Sequence, residues 1–252
     1  MKSPDVSQSA SFLGVRFDLL DEARALERIE SLAAAGPFTF VVTPNVDHVV
    51  RLHRQLDNEA LWACYDDAAL CLCDSRILKA LARFSGVALV VVPGSDLTAR
   101  ILGARLPMAS AVIGGDETLM QGLRARYPQV EWFHHAPPSG VLHDIEAQME
   151  IVDFAEQTPA RLIFFAIGSP QSEIVCSRIA ARRKAAGVGL CVGASLQFLT
   201  GAKTRAPRWM QRLGLEWLFR LLSEPVRLWR RYLVEGPTIF AIWWRWRFRP
   251  PR

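Results

Sequence analysis

Residue types and spacing that could do chemistry occur at a few turns of this sequence. Asp74 follows the apolar run Leu70-Cys71-Leu72-Cys73 and precedes Ser75-Arg76. A carboxylate at that edge suits a general base, tuned by partial burial and by Arg76. It equally suits an N-cap for a helix from Ile77, and spacing does not separate the two. Thr43-Pro44-Asn45 ends an apolar run and offers polar groups for sugar hydroxyls or a base; spacing alone favours a helix cap there. Gly94-Ser95-Asp96 and Gly114-Gly115-Asp116 are small-residue turns open to close backbone approach, where helix N-termini attract anions. Gly168-Ser169-Pro170-Gln171-Ser172-Glu173 joins a strongly apolar run to a helix, and its N–H groups could cradle a phosphate. His134 and His135 are adjacent, so on a strand they face oppositely and do not chelate one metal. GxGxxG, Walker, Gly-x-Ser-x-Gly, His-Glu-x-x-His and Asp-x-Asp patterns are all absent.

These turns are positioned by an alternating pattern. A strand or hairpin arm over Phe12–Leu20 precedes a helix opened by Asp21 and stopped by Gly36-Pro37. Strand Phe38–Val42 is followed by a helix over Val46–Gln55, and the run Ala68–Cys73 by a helix over Ile77–Phe84. The Pro93–Asp96 turn caps a helix from Leu97 to Leu106. Strands at Met108–Ile113, Val130–His134, Arg161–Ile167 and Gly189–Val192 then alternate with helices ending near Tyr127, Gln157 and Ala186. This predicts an α/β fold, a mostly parallel sheet with helices on both faces. Ligands of such sheets bind beyond the carboxyl ends of the strands, where the turns above lie.

Charge divides the chain. Its last fifty residues carry one Lys and eleven Arg against three Glu, a net +9 in a chain of +5, leaving −4 on residues 1–202. Six of the eight Trp lie in that tail. This predicts a catalytic body over 1–201 and a helical, basic appendage over 202–252, with helices over Leu215–Ser223 and Pro225–Leu233. An anionic partner is implied, and Trp interleaved with Arg suits an anionic membrane surface better than nucleic acid. No apolar segment reaches the roughly 18–20 residues that span a bilayer, and no signal peptide is evident. The expected location is the cytoplasm, peripherally on the inner face of the cell membrane. The five Cys fit neither a disulfide framework nor a zinc site and read as reduced core residues.

Together these pieces resemble the WecG/TagA/CpsF glycosyltransferases of bacterial cell-surface polysaccharide synthesis. The resemblance runs over roughly Phe12–Leu233 and is most specific from Arg205 to Leu221, at Glu224-Pro225 and from Arg227 to Leu233. Thr43-Pro44-Asn45 with His48, the Asp74 turn, Gly94-Ser95-Asp96, and Gly168-x-Pro170-x-x-Glu173 follow the family's order. It implies a Rossmann-like body and metal-independent, inverting transfer from a UDP-sugar to a polyprenyl-diphosphate-linked sugar, without a cofactor. It implies Asp74 as catalytic base, with Thr43 and Asn45 lining the sugar site. Gly94, Asp96, Gly168 and Glu173 fall in the same motifs, and Arg220, Arg227 and Arg230 are candidates to bind the diphosphate. Homo-oligomerisation is a further expectation.

The chain departs from the family pattern at Ser75 for Gly, Val91 for Arg, Ser172 for Gln and Gln197 for Asp. Arg76 is therefore expected to replace the missing charge at Val91. The departures also leave open a non-catalytic nucleotide-sugar or lipid-phosphate binding protein.

Overall fold

The computed structural model describes residues 8–34, 36–54, 59–104 and 109–248. Gln55, Leu106 and Met108, which bound elements expected above, and Arg249 and Arg252 at the end of the basic tail lie outside them. The chain opens with a hairpin, β1 (Ser9–Phe12) and β2 (Val15–Asp18), turned by Leu13 and Gly14 with φ of 53° and 79°. Then follow α1 (Glu22–Ala34), β3 (Thr39–Val42), α2 (Val46–Arg54), α3 (Glu59–Asp67), β4 (Leu70–Cys71) and α4 (Arg76–Phe84). The regular part continues with α5 (Gly94–Gly103), β5 (Ser110–Ile113), α6 (Glu117–Arg126), β6 (Trp132–His135), α7 (Ile145–Gln157), β7 (Leu162–Phe165), α8 (Gln171–Arg182) and β8 (Val188–Cys191). Strand ends differ from the pattern-based ranges by one to three residues, because apolar runs extend into the turns. Helix α3 was not anticipated: its apolar and charged residues are mixed around the axis.

β3 to β8 form one six-stranded parallel sheet in the order β4-β3-β8-β7-β5-β6. The chain steps outward from β3 to β4 on one side and from β5 to β6 on the other. The carboxyl ends of β3, β8 and β7 therefore open a crevice mid-sheet, where doubly wound folds hold ligands. Val42 lies opposite Cys191, and Cys191 opposite Phe165, so the three strands end level. Period-2 alternation builds a core on each face. Phe40, Val42, Ile163 and Phe165 pack against α2, α3, α7 and α8, while Val41, Leu162, Phe164 and Leu190 pack against α1, α5 and α6. All five cysteines are buried and free.

After α9 (Ser195–Leu199) come α10 (Arg208–Arg212), α11 (Glu216–Ser223) and α12 (Pro225–Trp229), with Pro225 in the first turn of α12. The chain then widens into a π-helical stretch over Arg230–Glu235 and ends in α13 (Thr238–Phe248). This last helix returns to the body. Ile239 and Ile242 join the core cluster of Phe12 and Val49, Trp246 meets Phe12 edge-on at 5.2 Å, and Trp243 Nε1 donates to Ser85 Oγ at 2.8 Å. Trp244 and Phe248 instead stay exposed, as do Trp209 and Trp229. Among the described residues no helix is long and apolar enough to cross a membrane.

Candidate active site

The turn after β3 and the turn after β4 are tied together by their backbones. Asp74 N–H donates to Pro44 C=O at 3.0 Å, and Leu72 N–H to Val42 C=O at 2.9 Å. Asp74 is thereby set beside Asn45. The cap of α4 is Ser75, whose Oγ accepts from Leu78 N–H at 3.2 Å, so the Asp74 carboxyl is not consumed as a cap. Asn45 does cap: its Oδ1 accepts from Asp47 N–H at 3.0 Å and its C=O from Val49 N–H at 3.2 Å. Thr43 Oγ1 donates to Cys191 C=O at 3.1 Å, which locks β3 to β8 at the crevice.

Gly94-Ser95-Asp96 lies inside the first turn of α5, not ahead of it, because Pro93 takes the capping place. A Cβ on Gly94 would sit 3.1 Å from Thr43 Oγ1, so the helix end approaches β3 as closely as a glycine allows. Asp96 is paired with Arg205 of the tail at 2.5 Å. Gly168 turns with φ of 79°, and Glu173 is buried in the first turn of α8.

Two cavities meet here. One, of about 480 Å³, is a polar cleft over the ends of β3, β7 and β8, lined by Thr43, Gly168, Glu173 and Gln197 and roofed by α11 and α12. The other, of about 500 Å³, is mainly apolar, with Val46, Ile77 and Val91 of the body facing Trp217, Leu233 and Phe240 of the tail. Asp74, Asn45, Glu216, Arg220, Arg231 and Tyr232 line both.

The tail places its cations around that junction. Arg220 pairs with Glu216 at 2.9 Å and lies over the Phe198 ring at 5.0 Å. Arg231 pairs with Asp47 at 3.0 Å, and Arg227 with Glu224 at 2.6 Å. The Nε atoms of Arg205, Arg220 and Arg231 are buried and unpaired, leaving donors in reserve. Arg220 and Arg227 line the polar cleft as the sequence suggested, but Arg230 is exposed and lines neither cavity. Its neighbour Arg231 lines both. Arg231 stands one α-helical turn past Arg227 and is drawn inward by Asp47, whereas Arg230 stays exposed. Arg76 is exposed and lines the apolar cavity together with Val91, not the polar cleft.

Electrostatics mark two carboxyls, Glu173 and, at the junction of the cavities, Asp74. Burial pushes the Asp74 carboxyl up to about 7, Glu216 pushes the same way, and Arg220, the Gly94 N–H and Arg205 hold it down. Such a group is ionised for part of the time at neutral pH and can there both take and give up a proton. Gly114-Gly115-Asp116 lies outside both cavities, and Asp116 caps α6 through Leu119 N–H at 2.9 Å. His134 is bonded to Gly114 C=O at 3.2 Å and His135 is stacked on Phe154, also away from the cavities. Among the described residues no group of three or more His, Cys, Asp or Glu is arranged to hold a metal ion. Sequence reasoning missed Glu216, Arg231 and Arg51. The spacing of Asp47 and Arg51, one helical turn apart on α2 beside Asn45, was the available signal for Arg51.

Comparison with known proteins adds two findings. The family model described as Glycosyl transferase WecG/TagA/CpsF family matches residues 10–252. The chain is also 27% identical over 233 residues, 86% of each chain, to an N-acetylglucosaminyldiphosphoundecaprenol N-acetyl-beta-D-mannosaminyltransferase of Staphylococcus aureus (strain MRSA252).

Proposed function

The chain belongs to the WecG/TagA/CpsF family of glycosyl transferases, and from that premise we propose that it moves an N-acetylhexosamine from a UDP-sugar to N-acetylglucosamine on a polyprenyl diphosphate, in cell-surface polymer synthesis. The observation that carries this reading is the position of Asp74, a carboxyl of raised pKa where a polar and an apolar cavity meet. The polar cleft takes the nucleotide diphosphate. The apolar cavity takes the acceptor sugar and the start of its lipid.

Asp74 accepts the proton of the acceptor hydroxyl as that oxygen bonds to the anomeric carbon. The bond from that carbon to the diphosphate oxygen breaks, and UDP leaves from the opposite face, inverting the centre. The leaving charge is met by the fixed donors of Arg220, Arg227 and Arg231, without a metal. Each guanidinium is paired with Glu216, Glu224 or Asp47, so the diphosphate displaces these carboxylates as it binds. The exposed Trp209, Trp229, Trp244 and Phe248, with Arg245 and Arg247, hold the tail at anionic lipid, which flotation with phosphatidylglycerol vesicles measures.

The test is UDP release across a panel of UDP-sugars with a short-chain polyprenyl-diphosphoryl N-acetylglucosamine. Release that depends on the acceptor supports the reading. Donor binding without acceptor-dependent release would make the chain a binding protein. Arg76 lines the acceptor cavity, so Arg76→Ala is expected to raise the acceptor KM about tenfold, the worth of one charge-assisted contact, with the donor KM unchanged. Unchanged acceptor KM would remove Arg76 from the site.

A further inference from the structure

The polar cleft has a buried polar floor that the transfer chemistry does not use. Glu173 is 2% exposed. Its Oε1 lies 3.4 Å from the Tyr65 hydroxyl and 3.6 Å from His48 Nε2, and its Oε2 has no partner. On its other side the His48 ring places Nδ1 2.9 Å from Asn45 Oδ1. That atom is fixed as oxygen because Asp47 N–H donates to it at 3.0 Å.

The tautomer follows. An acceptor oxygen at 2.9 Å requires a hydrogen on Nδ1, so Nδ1 cannot also accept from the Asn45 backbone N–H at 3.3 Å. Nε2 then presents a lone pair to Glu173. An ionised carboxylate 3.6 Å away would repel it, whereas a carboxylic acid can turn its O–H toward it. Burial drives the pair the same way, pushing Glu173 up to about 7 and His48 down to about 4. The charged groups facing His48 are Asp47 and Arg51 of its own helix and Arg231 of the π-helical stretch. Facing Glu173 are Arg51, Tyr65 of α3 and Ser169 of the turn after β7. With Oδ1 occupied twice, the two hydrogens on Asn45 Nδ2 have no partner among the described residues, at the junction beside Asp74.

We propose that Glu173, acting through His48, is a positioning residue that fixes the Asn45 carboxamide as a hydrogen-bond donor to sugar oxygens where the two cavities meet. The proposal rests on the glycosyl-transfer reading. When Glu173 ionises, the His48 proton is better placed on Nε2, toward Glu173. Nδ1 then opposes Asn45 Oδ1 with a lone pair, and the amide is left with the Asp47 N–H alone.

Two measurements test this. The first is the tautomer of His48 by nitrogen NMR of the intact protein, its signal identified among the five histidines by its loss in His48→Gln. The expected result is a proton on Nδ1 at pH 6, moving to Nε2 by pH 8.5 in the wild type. In Glu173→Gln, whose amide donates at every pH, it stays on Nδ1. A proton on Nε2 at pH 6 would overturn the proposal. The second is turnover. Glu173→Ala is expected to lower kcat about tenfold, the scale of one misdirected hydrogen bond, and Glu173→Gln to restore most of it. In an Asn45→Ala background, Glu173→Ala should cost nothing further. Additive losses, or a Gln variant as impaired as the Ala variant, would overturn the proposal. A wild type with no transferase activity sinks the functional reading instead, and the tautomer still decides the arrangement of the floor.

Discussion

Asp74→Asn is expected to lower turnover by about 10²-fold or more while raising the melting temperature at pH 8. The loss follows from the removal of a general base, which contributes roughly 10²–10⁴ in rate. The gain follows from linkage. Burial holds the Asp74 pKa at about 7 in the folded chain against an ordinary 3.8, so between these pH values the fold holds a proton that the unfolded chain has lost. Its contribution to stability is fully present below the unfolded value and is lost as pH rises through 7. Asn carries no charge and escapes that loss, so the variant gains at pH 8 and little near pH 4. Wild-type turnover should rise with pH through about 7 as the base ionises. Near-normal turnover by the Asn variant would remove Asp74 from the role. Equal shifts in melting temperature at pH 4 and 8 would show that its charge is not what the fold resists.

Arg220→Gln carries the other large effect, a fall in kcat of about 10²–10³-fold, the range seen when a fixed donor to developing charge is removed. It also predicts a direction. Arg220 holds the Asp74 pKa down and Glu216 pushes it up, so the acid limb of the pH–rate profile should move to higher pH in Arg220→Gln and to lower pH in Glu216→Gln. Parallel shifts in the two variants would mean that neither acts through Asp74. Arg220→Lys is expected to restore little, because a point charge does not reproduce the guanidinium fork stacked on Phe198.

The parallel sheet and its turns were legible because buried strands are continuous apolar runs and the turns between them carry Gly, Pro and Asp. The role of Asp74 was not separable from capping by spacing, since both need a polar residue one step before a helix. The structure assigns the cap to the neighbour, since Ser75 holds the Leu78 N–H, and leaves the Asp74 carboxyl uncommitted to it. Arg230 was named ahead of Arg231 through the resemblance; adjacent arginines differ only in what faces them, here Asp47. The return of α13 was also illegible. Its Trp and Arg read as membrane-facing throughout, yet Trp243 and Trp246 are spent on Ser85 and Phe12 of the same chain. A side chain suited to a lipid surface is equally suited to a protein interior with one hydrogen-bond partner.

That return has a mechanical consequence. The segment carrying Arg220, Arg227 and Arg231 leaves the body after Gly201, and α13 clamps its far end to Phe12 and Ser85. It is a span with two abutments, unlike a cantilever free at its tip. A cantilever can peel from one end and withdraw its charges one by one. A span fixed at both ends, and tied between them by Arg205 to Asp96 and by Arg231 to Asp47, has no free end from which to peel. On the proposed function, escape of the nucleotide product then requires movement of the whole segment rather than fraying of its tip.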